Sequence, residues 1–318
     1  MKPPAVSVVI PLHNKGTYVT DAIASALAQT VSDFEIIVVD DGSTDDGPIY
    51  VKKINDPRIV VVCQGNIGVA GARNRGMNEA HAEFVAFLDA DDLWNSDHIL
   101  YLLQLARHYP QAALFGNRFI AFSGTRPPVP RPAPVTDMLV DDYFSACATG
   151  TPLFFTSSCM ARREIALAAG GFPAAHSRGE DLALWMKIAA AAPVAVSTYV
   201  GGFYRRASGT LTAKCVTEPD VSMTTIAELI KTHHEWPASR VNGAREFYNR
   251  IALAHAMDCG HAGNDEAAEK FLALSAGTIA HRKRRWQARL LIGTPRLLRG
   301  IVIRFLGLLR NLPSRPLQ

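Results

Sequence analysis

Four short runs in the first ninety residues are apolar almost without interruption: VSVVI (6–10), FEIIVVD (34–40), RIVVVC (58–63) and FVAFLD (84–89). They are rich in β-branched and aromatic residues, and the stretches between them are long enough to hold helices. A strand apolar on both faces belongs inside a covered sheet, so the pattern predicts βαβ units and a parallel sheet flanked by helices. Residues 17–29 place Val19, Ile23, Ala26 and Leu27 at helical spacing, and 69–80 reads as a second helix leading into the fourth strand.

The pattern changes after residue 121. TRPPVPRPAPV (125–135) cannot be a helix or a central strand, so it predicts a long loop over the surface or the site. TPLFFTSSCMARR (151–163), a GGF turn at 170–172, a helix over about 181–192 and an extended stretch at 194–206 follow. From about 218 the chain reads as helices, and no internal repeat is visible.

In such a sheet, ligands bind beyond the carboxyl ends of the strands. Each predicted strand end is polar: Pro11, His13 and Asn14 after the first, Asp40, Asp41, Gly42 and Ser43 after the second, residues 64–76 after the third, and Asp89, Asp91 and Asp92 after the fourth. Crowded carboxylates raise one another's pKa unless something positive sits among them. A divalent cation carrying a ligand answers that need; the plainer alternative is three acids that cap a strand and start a helix near Ser96. GNIGVAGARNRG (65–76) is glycine-rich, but the dinucleotide fingerprint G-x-G-x-x-G must follow the first strand directly, where PLHNKG stands instead. A nicotinamide enzyme is excluded on that ground.

Composition narrows the class. With 318 residues, 48% hydrophobic and 19% charged, the chain is an ordered globular protein with a sizeable core. The opening MKPPAVSVVIPLHN lacks the apolar region and cleavage site of a secretory signal, which predicts a cytosolic protein. Five scattered cysteines without a C-x-x-C pair predict free thiols. From Arg282 onward there are ten basic residues and no acid, which leaves the body 23 basic against 29 acidic residues. An acidic body argues against nucleic acid as a partner.

Six segments, VSVVIPLHN, DDGSTD, GVAGARNRG, FLDADD, GGF with GEDLALW, and YRR, stand in one order over roughly residues 5–212. Together they resemble the family 2 glycosyltransferases, whose nucleotide-sugar-binding fold is called GT-A. The resemblance implies an α/β catalytic domain over 1–215, with a nucleotide-sugar half (1–120) and an acceptor-side half (121–215), followed by a helical region over 216–318. It implies Mn²⁺ or Mg²⁺ as cofactor on Asp91 of the Asp-x-Asp motif Asp89-Ala90-Asp91, with Asp89 at the ribose or the metal's waters. Asp41 then accepts from the base, with Pro11, His13 and Asn14 beside it; His13 stands where many relatives have an aromatic residue. Arg73 reaches the base or the phosphates, and Tyr204 and Arg205 approach the diphosphate or close over it. Asp181, next to Glu180, is the general base on the acceptor hydroxyl, and Trp94 and Trp185 either stack on sugar rings or pack. Plainer roles stay open for three of these: a D-G-S surface turn at Asp41, a structural helix arginine at Arg73, and a helix N-terminus stabilised by Glu180 and Asp181.

The implied activity is inverting transfer of a sugar from a nucleotide diphosphate donor, with a leaning to UDP, onto a saccharide or lipid-linked saccharide in bacterial surface glycan synthesis. A nucleotidyltransferase and a non-catalytic nucleotide-sugar scaffold are the alternatives. In the tail, residues 295–312 wind Arg296, Arg299, Arg304 and Arg310 onto one side and leucine-rich positions onto the other, with HRKRRW (281–286) just upstream. That predicts a helix lying on an anionic membrane at the cytoplasmic face, or one docked on the catalytic domain.

Overall fold

The computed structural model describes residues 3–149, 152–176, 178–206, 215–295 and 298–299. In chain order the first half contains β1 (Val6–Leu12), α1 (Gly16–Leu27), β2 (Phe34–Asp41), α2 (Gly47–Lys52), β3 (Ile59–Gln64), α3 (Val69–Glu79), β4 (Phe84–Phe87), β5 (Leu93–Trp94) and α4 (His98–His108). Then come β6 (Leu114–Phe122), β7 (Asp137–Val140), α5 (Tyr143–Ala148), β8 (Cys159–Arg162), α6 (Arg163–Ala168), α7 (Glu180–Ala191) and β9 (Val194–Arg205). Helices α8 (Val221–Thr232), α9 (Ala238–Ala262), α10 (Asp265–Leu274) and α11 (Arg282–Gly293) complete the described chain.

The four apolar runs are the parallel strands β3-β2-β1-β4, in register as Val8 beside Ile36 and Val6 beside Phe84. Beyond β4 the sheet turns mixed: β8 runs antiparallel to β4, β6 antiparallel to β8, and β9 parallel to β6. Alternate side chains feed two cores. Val8, Ile10, Ile36 and Val38 pack with Ile23 of α1 and Leu102 of α4 on one face. Val9, Ile37, Val39 and Phe87 pack with Met77 of α3 and Trp185 of α7 on the other. That second cluster continues through Phe144 of α5 into Phe247 of α9 and Phe271 of α10, so the C-terminal helices extend a core that begins at the sheet. Burying each such side chain is worth roughly 1.5–3 kcal/mol, which is why the helices stay docked.

Two expectations are corrected. Cys215 and Cys259, read as free thiols, are joined as a disulfide whose Cα atoms are 4.8 Å apart. The bridge ties the stretch after β9 to α9 across 44 residues, a proximity made by folding that spacing alone does not reveal. Cys63, Cys147 and Cys159 are free. In the tail, HRKRRW is the start of α11 and not a lead-in, while most of 295–312 lies outside the described residues. Arg299, expected on a headgroup face, is buried: it donates to the Gly260 and Ile292 carbonyls at 3.0 Å each and pairs with Asp265 at 2.7 Å. No helix among the described residues is long and apolar enough to cross a membrane.

Candidate active site

The ends of β1, β2 and β4 bring the predicted polar residues to one edge of the sheet, and α3 connects them to α7. Arg73, on α3, is the centre of that connection. One guanidinium nitrogen donates to Asp89 at 2.7 Å and another to Glu180 at 3.0 Å, with only 5% of the side chain exposed. Burial pulls the Arg73 pKa down, but the charges of Asp89 and Glu180 outweigh it and raise it above the ordinary value. The next residue, Asn74, donates to the Phe172 carbonyl at 2.7 Å and accepts from the Phe172 amide at 2.8 Å. Consecutive side chains of one helix thus hold the acidic strand end, the GGF turn and the first residue of α7.

The turn itself requires glycine. Gly171 has φ +66°, and a Cβ there would meet the Asn74 amide oxygen at 2.6 Å; Gly179, before α7, has φ +76°, and a Cβ would sit 3.0 Å from the Asp220 carboxylate. A side chain at either site would therefore combine an unfavourable backbone conformation with a clash.

Within the acidic cluster each carboxylate is answered differently. Asp91 pairs with the Lys15 ammonium at 2.5 Å. Asp92 is buried, accepting from the Ser157 hydroxyl at 2.6 Å and the Arg205 amide at 2.8 Å. Burial, and then the charge of Asp89, push its pKa well above the carboxylate range. Ser157 also accepts from the Asp89 amide at 3.0 Å, and its carbonyl accepts from the Trp94 indole at 2.5 Å. Arg205 donates from Nε to the Asp91 carbonyl at 2.8 Å and from Nη1 to the Gly124 carbonyl at 2.6 Å, which fixes the proline-rich loop to the cluster.

Asp181 and Glu180 open α7. Asp181 is half-buried; its Oδ2 accepts from Thr156 Oγ1 at 2.8 Å and its Oδ1 from the Leu182 amide at 2.7 Å. Glu180 is buried, and burial together with the charge of Asp181 raises its pKa against the pull of Arg73. Half-buried Asp181 keeps acceptor positions free, because two of roughly four are used.

The other predicted residues are placed as follows. Asp41 is buried and already accepts from Gln64 Nε2 at 2.8 Å, Ile67 N at 3.0 Å and Gly68 N at 2.8 Å, so it shapes the 65–68 loop. His13 is exposed, bonded from Nδ1 to the Asp41 carbonyl at 2.9 Å, and Asn14 holds the Thr44 amide at 2.8 Å. Pro11 and Ala90 are buried and offer backbone only. Trp94 and Trp185 are core residues, 5% and 2% exposed, so neither presents a ring face to a sugar. Arg205 is buried beneath the cluster and not free to swing, while Tyr204 is half-exposed against Phe155. Sequence reasoning missed Lys15, Thr156 and Ser157; the T-S-S run at 156–158, polar residues inside an apolar stretch, was the available signal.

Comparison with known proteins decides the family. The model of glycosyl transferase family 2 matches residues 7–168. The chain belongs to that family. A glycosyltransferase of Rickettsia felis is 30% identical over 194 residues, 58% of this chain and 30% of its own length. The putative teichuronic acid biosynthesis glycosyltransferase TuaG of Bacillus subtilis is 37% identical over 126 residues, 38% of this chain and 50% of its own. The match spans about a third or less of the length of the first curated relatives. Among solved structures, Staphylococcus aureus TarS (residues 1–349, with UDP-GlcNAc) superposes with a TM-score of 0.67 at 20% identity over 94% of this chain and 92% of that one. The mannosyltransferase PcManGT of Pyrobaculum calidifontis, with GDP-Man and Mn²⁺, gives 0.59 at 20% identity over 98% of this chain and 89% of that one. The fold of this family 2 member is therefore GT-A, as the sequence motifs imply.

Proposed function

We propose that this protein transfers a sugar from a nucleotide diphosphate sugar, with UDP the favoured donor, to a hydroxyl of a saccharide or lipid-linked saccharide, inverting the anomeric centre. The observation that carries the reading is the Arg73 link, which holds the acidic strand end and the base-bearing helix at fixed distance. Teichuronic acid synthesis in TuaG's name and UDP-GlcNAc in the TarS complex support a bacterial surface glycan and a UDP donor.

Asp181 takes the acceptor proton. Thr156 fixes its orientation, so a hydroxyl approaching the free lone pairs is deprotonated as its oxygen bonds to the anomeric carbon. The bond from that carbon to the diphosphate oxygen breaks on the opposite face, the electron pair leaves with the nucleoside diphosphate, and an α-linked donor becomes a β-linked product. Arg73, paired with the buried Glu180, holds α7 in place for this step.

Asp91, with Asp89, suits a hard divalent cation. Both are oxygen donors with acceptor positions to spare beside their partners, Lys15 on Asp91 and Arg73 on Asp89. Among the described residues no group of three or more His, Cys, Asp or Glu is placed to hold a metal ion by itself. When bound, Mn²⁺ or Mg²⁺ neutralises charge on the diphosphate. Incubation with a panel of nucleotide sugars and Mn²⁺ tests the reading: release of nucleoside diphosphate with a glycosylated product is expected. Pyrophosphate from a nucleoside triphosphate would mark a nucleotidyltransferase, and binding without turnover a scaffold.

A further inference from the structure

The C-terminal helices carry a surface lined by none of the residues placed at the strand ends. The turn between α10 and α11 and the first two turns of α11 enclose one concavity, lined by Thr278, Ile279, Arg282, Arg285, Trp286 and Arg289. Ile279 is 72% exposed and Trp286 52%. Arg282, Arg285, Trp286 and Arg289 recur at three- and four-residue steps and so share one face of α11, while Ala288, Leu291 and Ile292 are buried. A neighbouring hollow meets this one at Gly277 and Ile279 and adds Lys231 and Arg245 to the rim. The carboxylate there is spent: Glu246 accepts from Thr278 Oγ1 at 2.6 Å and from the Ile279 amide at 2.7 Å. No acidic residue follows Glu269 in the chain.

An exposed indole and an exposed isoleucine ringed by arginines match the interface of an anionic bilayer, where cations reach phosphates and an amphipathic ring settles at headgroup depth. We propose that Ile279 and the Arg282, Trp286 and Arg289 face of α11 dock this protein on an anionic lipid bilayer. The contact is independent of the transfer reaction and needs no donor or acceptor. The element it names is α11; of the 295–312 segment, Arg299 is committed to α9 and α10.

The test uses the full chain with vesicles of phosphatidylglycerol or of phosphatidylcholine, without nucleotide. Trp94, Trp185 and Trp236 are 5%, 2% and 8% exposed, so a shift of tryptophan emission on vesicles reports Trp286. Co-sedimentation with phosphatidylglycerol at low salt, a blue shift of emission, and loss of both as salt rises are expected, with neither on phosphatidylcholine. Combined Arg282→Gln, Arg285→Gln and Arg289→Gln lowers partitioning about a hundredfold, from roughly 1 kcal/mol per basic residue. Paired Ile279→Ser and Trp286→Ser lowers it about tenfold or more. The proposal is overturned if wild-type protein ignores phosphatidylglycerol, or if it binds without a tryptophan shift. It is equally overturned if Arg304→Gln with Arg310→Gln removes binding while the α11 variants do not. A dimer abolished by Trp286→Ser, with no vesicle association, would assign the face to a second copy instead.

Discussion

The strand ends and the C-terminal helices use charge in opposite ways. At the strand ends nearly every carboxylate has a fixed partner: Asp89 and Glu180 share Arg73, Asp91 has Lys15, and Asp92 has Ser157 and the Arg205 amide. On α11, Arg282, Lys283 and Arg289 are exposed within eight positions, with no acid after Glu269 in the sequence. Paired charges at set distances hold a geometry and resist salt because they are partly buried; a one-signed exposed field attracts any opposite surface and fades with salt. The first arrangement suits chemistry, the second association.

Breaking the paired side should have the larger effects. Asp91→Asn should lower Mn²⁺-dependent turnover roughly 10³-fold or more, read as released nucleoside diphosphate, since metal assistance is worth several kcal/mol; turnover within tenfold of wild type would remove Asp91 from the ion's ligands. Arg73→Met leaves Asp89 and Glu180 without their counter-charge, and urea unfolding should show a loss of about 3–5 kcal/mol. A loss below 1 kcal/mol would mean the link does not hold the two halves of the site.

A third effect separates burial from pairing. His98 is fully buried against Asn117 and Trp94, and burial alone drives its pKa down to about 3. The unfolded chain takes up a proton near the ordinary value of 6.5, whereas the folded chain does not until far lower. Stability should therefore fall as pH drops, by about 3 kcal/mol between pH 6.5 and 4 from this residue. His98→Gln should flatten that part of the pH profile; an unchanged slope would place the titration elsewhere. Ser157→Ala, which deprives buried Asp92 of a hydrogen bond, should cost about 1–3 kcal/mol. At the small end, Lys283→Gln with Arg289→Gln should leave folding stability within about 0.5 kcal/mol and turnover of a soluble acceptor unchanged. A larger change would mean that α11 charge supports the fold.

The parts that were legible share a cause. β1 to β4 show as continuous β-branched runs because a doubly covered strand has no polar face to interrupt it, and Asp89, Asp91, Asp181 and Glu180 stand out as charges at the limits of such elements. Pairings between distant segments leave no periodic trace. Lys15 on Asp91 joins positions 76 residues apart, Ser157 on Asp92 joins positions 65 apart, and the bridge between Cys215 and Cys259 joins positions 44 apart. Asp41 was visible as an acid at a strand end, but its use in shaping the 65–68 loop depends on backbone amides that carry no residue identity. Trp185, four positions after Asp181 and on that side of α7, is nevertheless a core residue packed on Phe87 and Phe172, a burial that spacing along the helix does not reveal.

The most direct test of the account compares wild type with Asp181→Asn on one donor, measuring transfer and nucleotide-sugar affinity in the same preparation. Removal of a general base on the acceptor side predicts a fall in kcat of about 10²–10⁴ with donor affinity and unfolding midpoint unchanged. Full transfer by Asp181→Asn, or collapse of donor affinity in a folded variant, would contradict it.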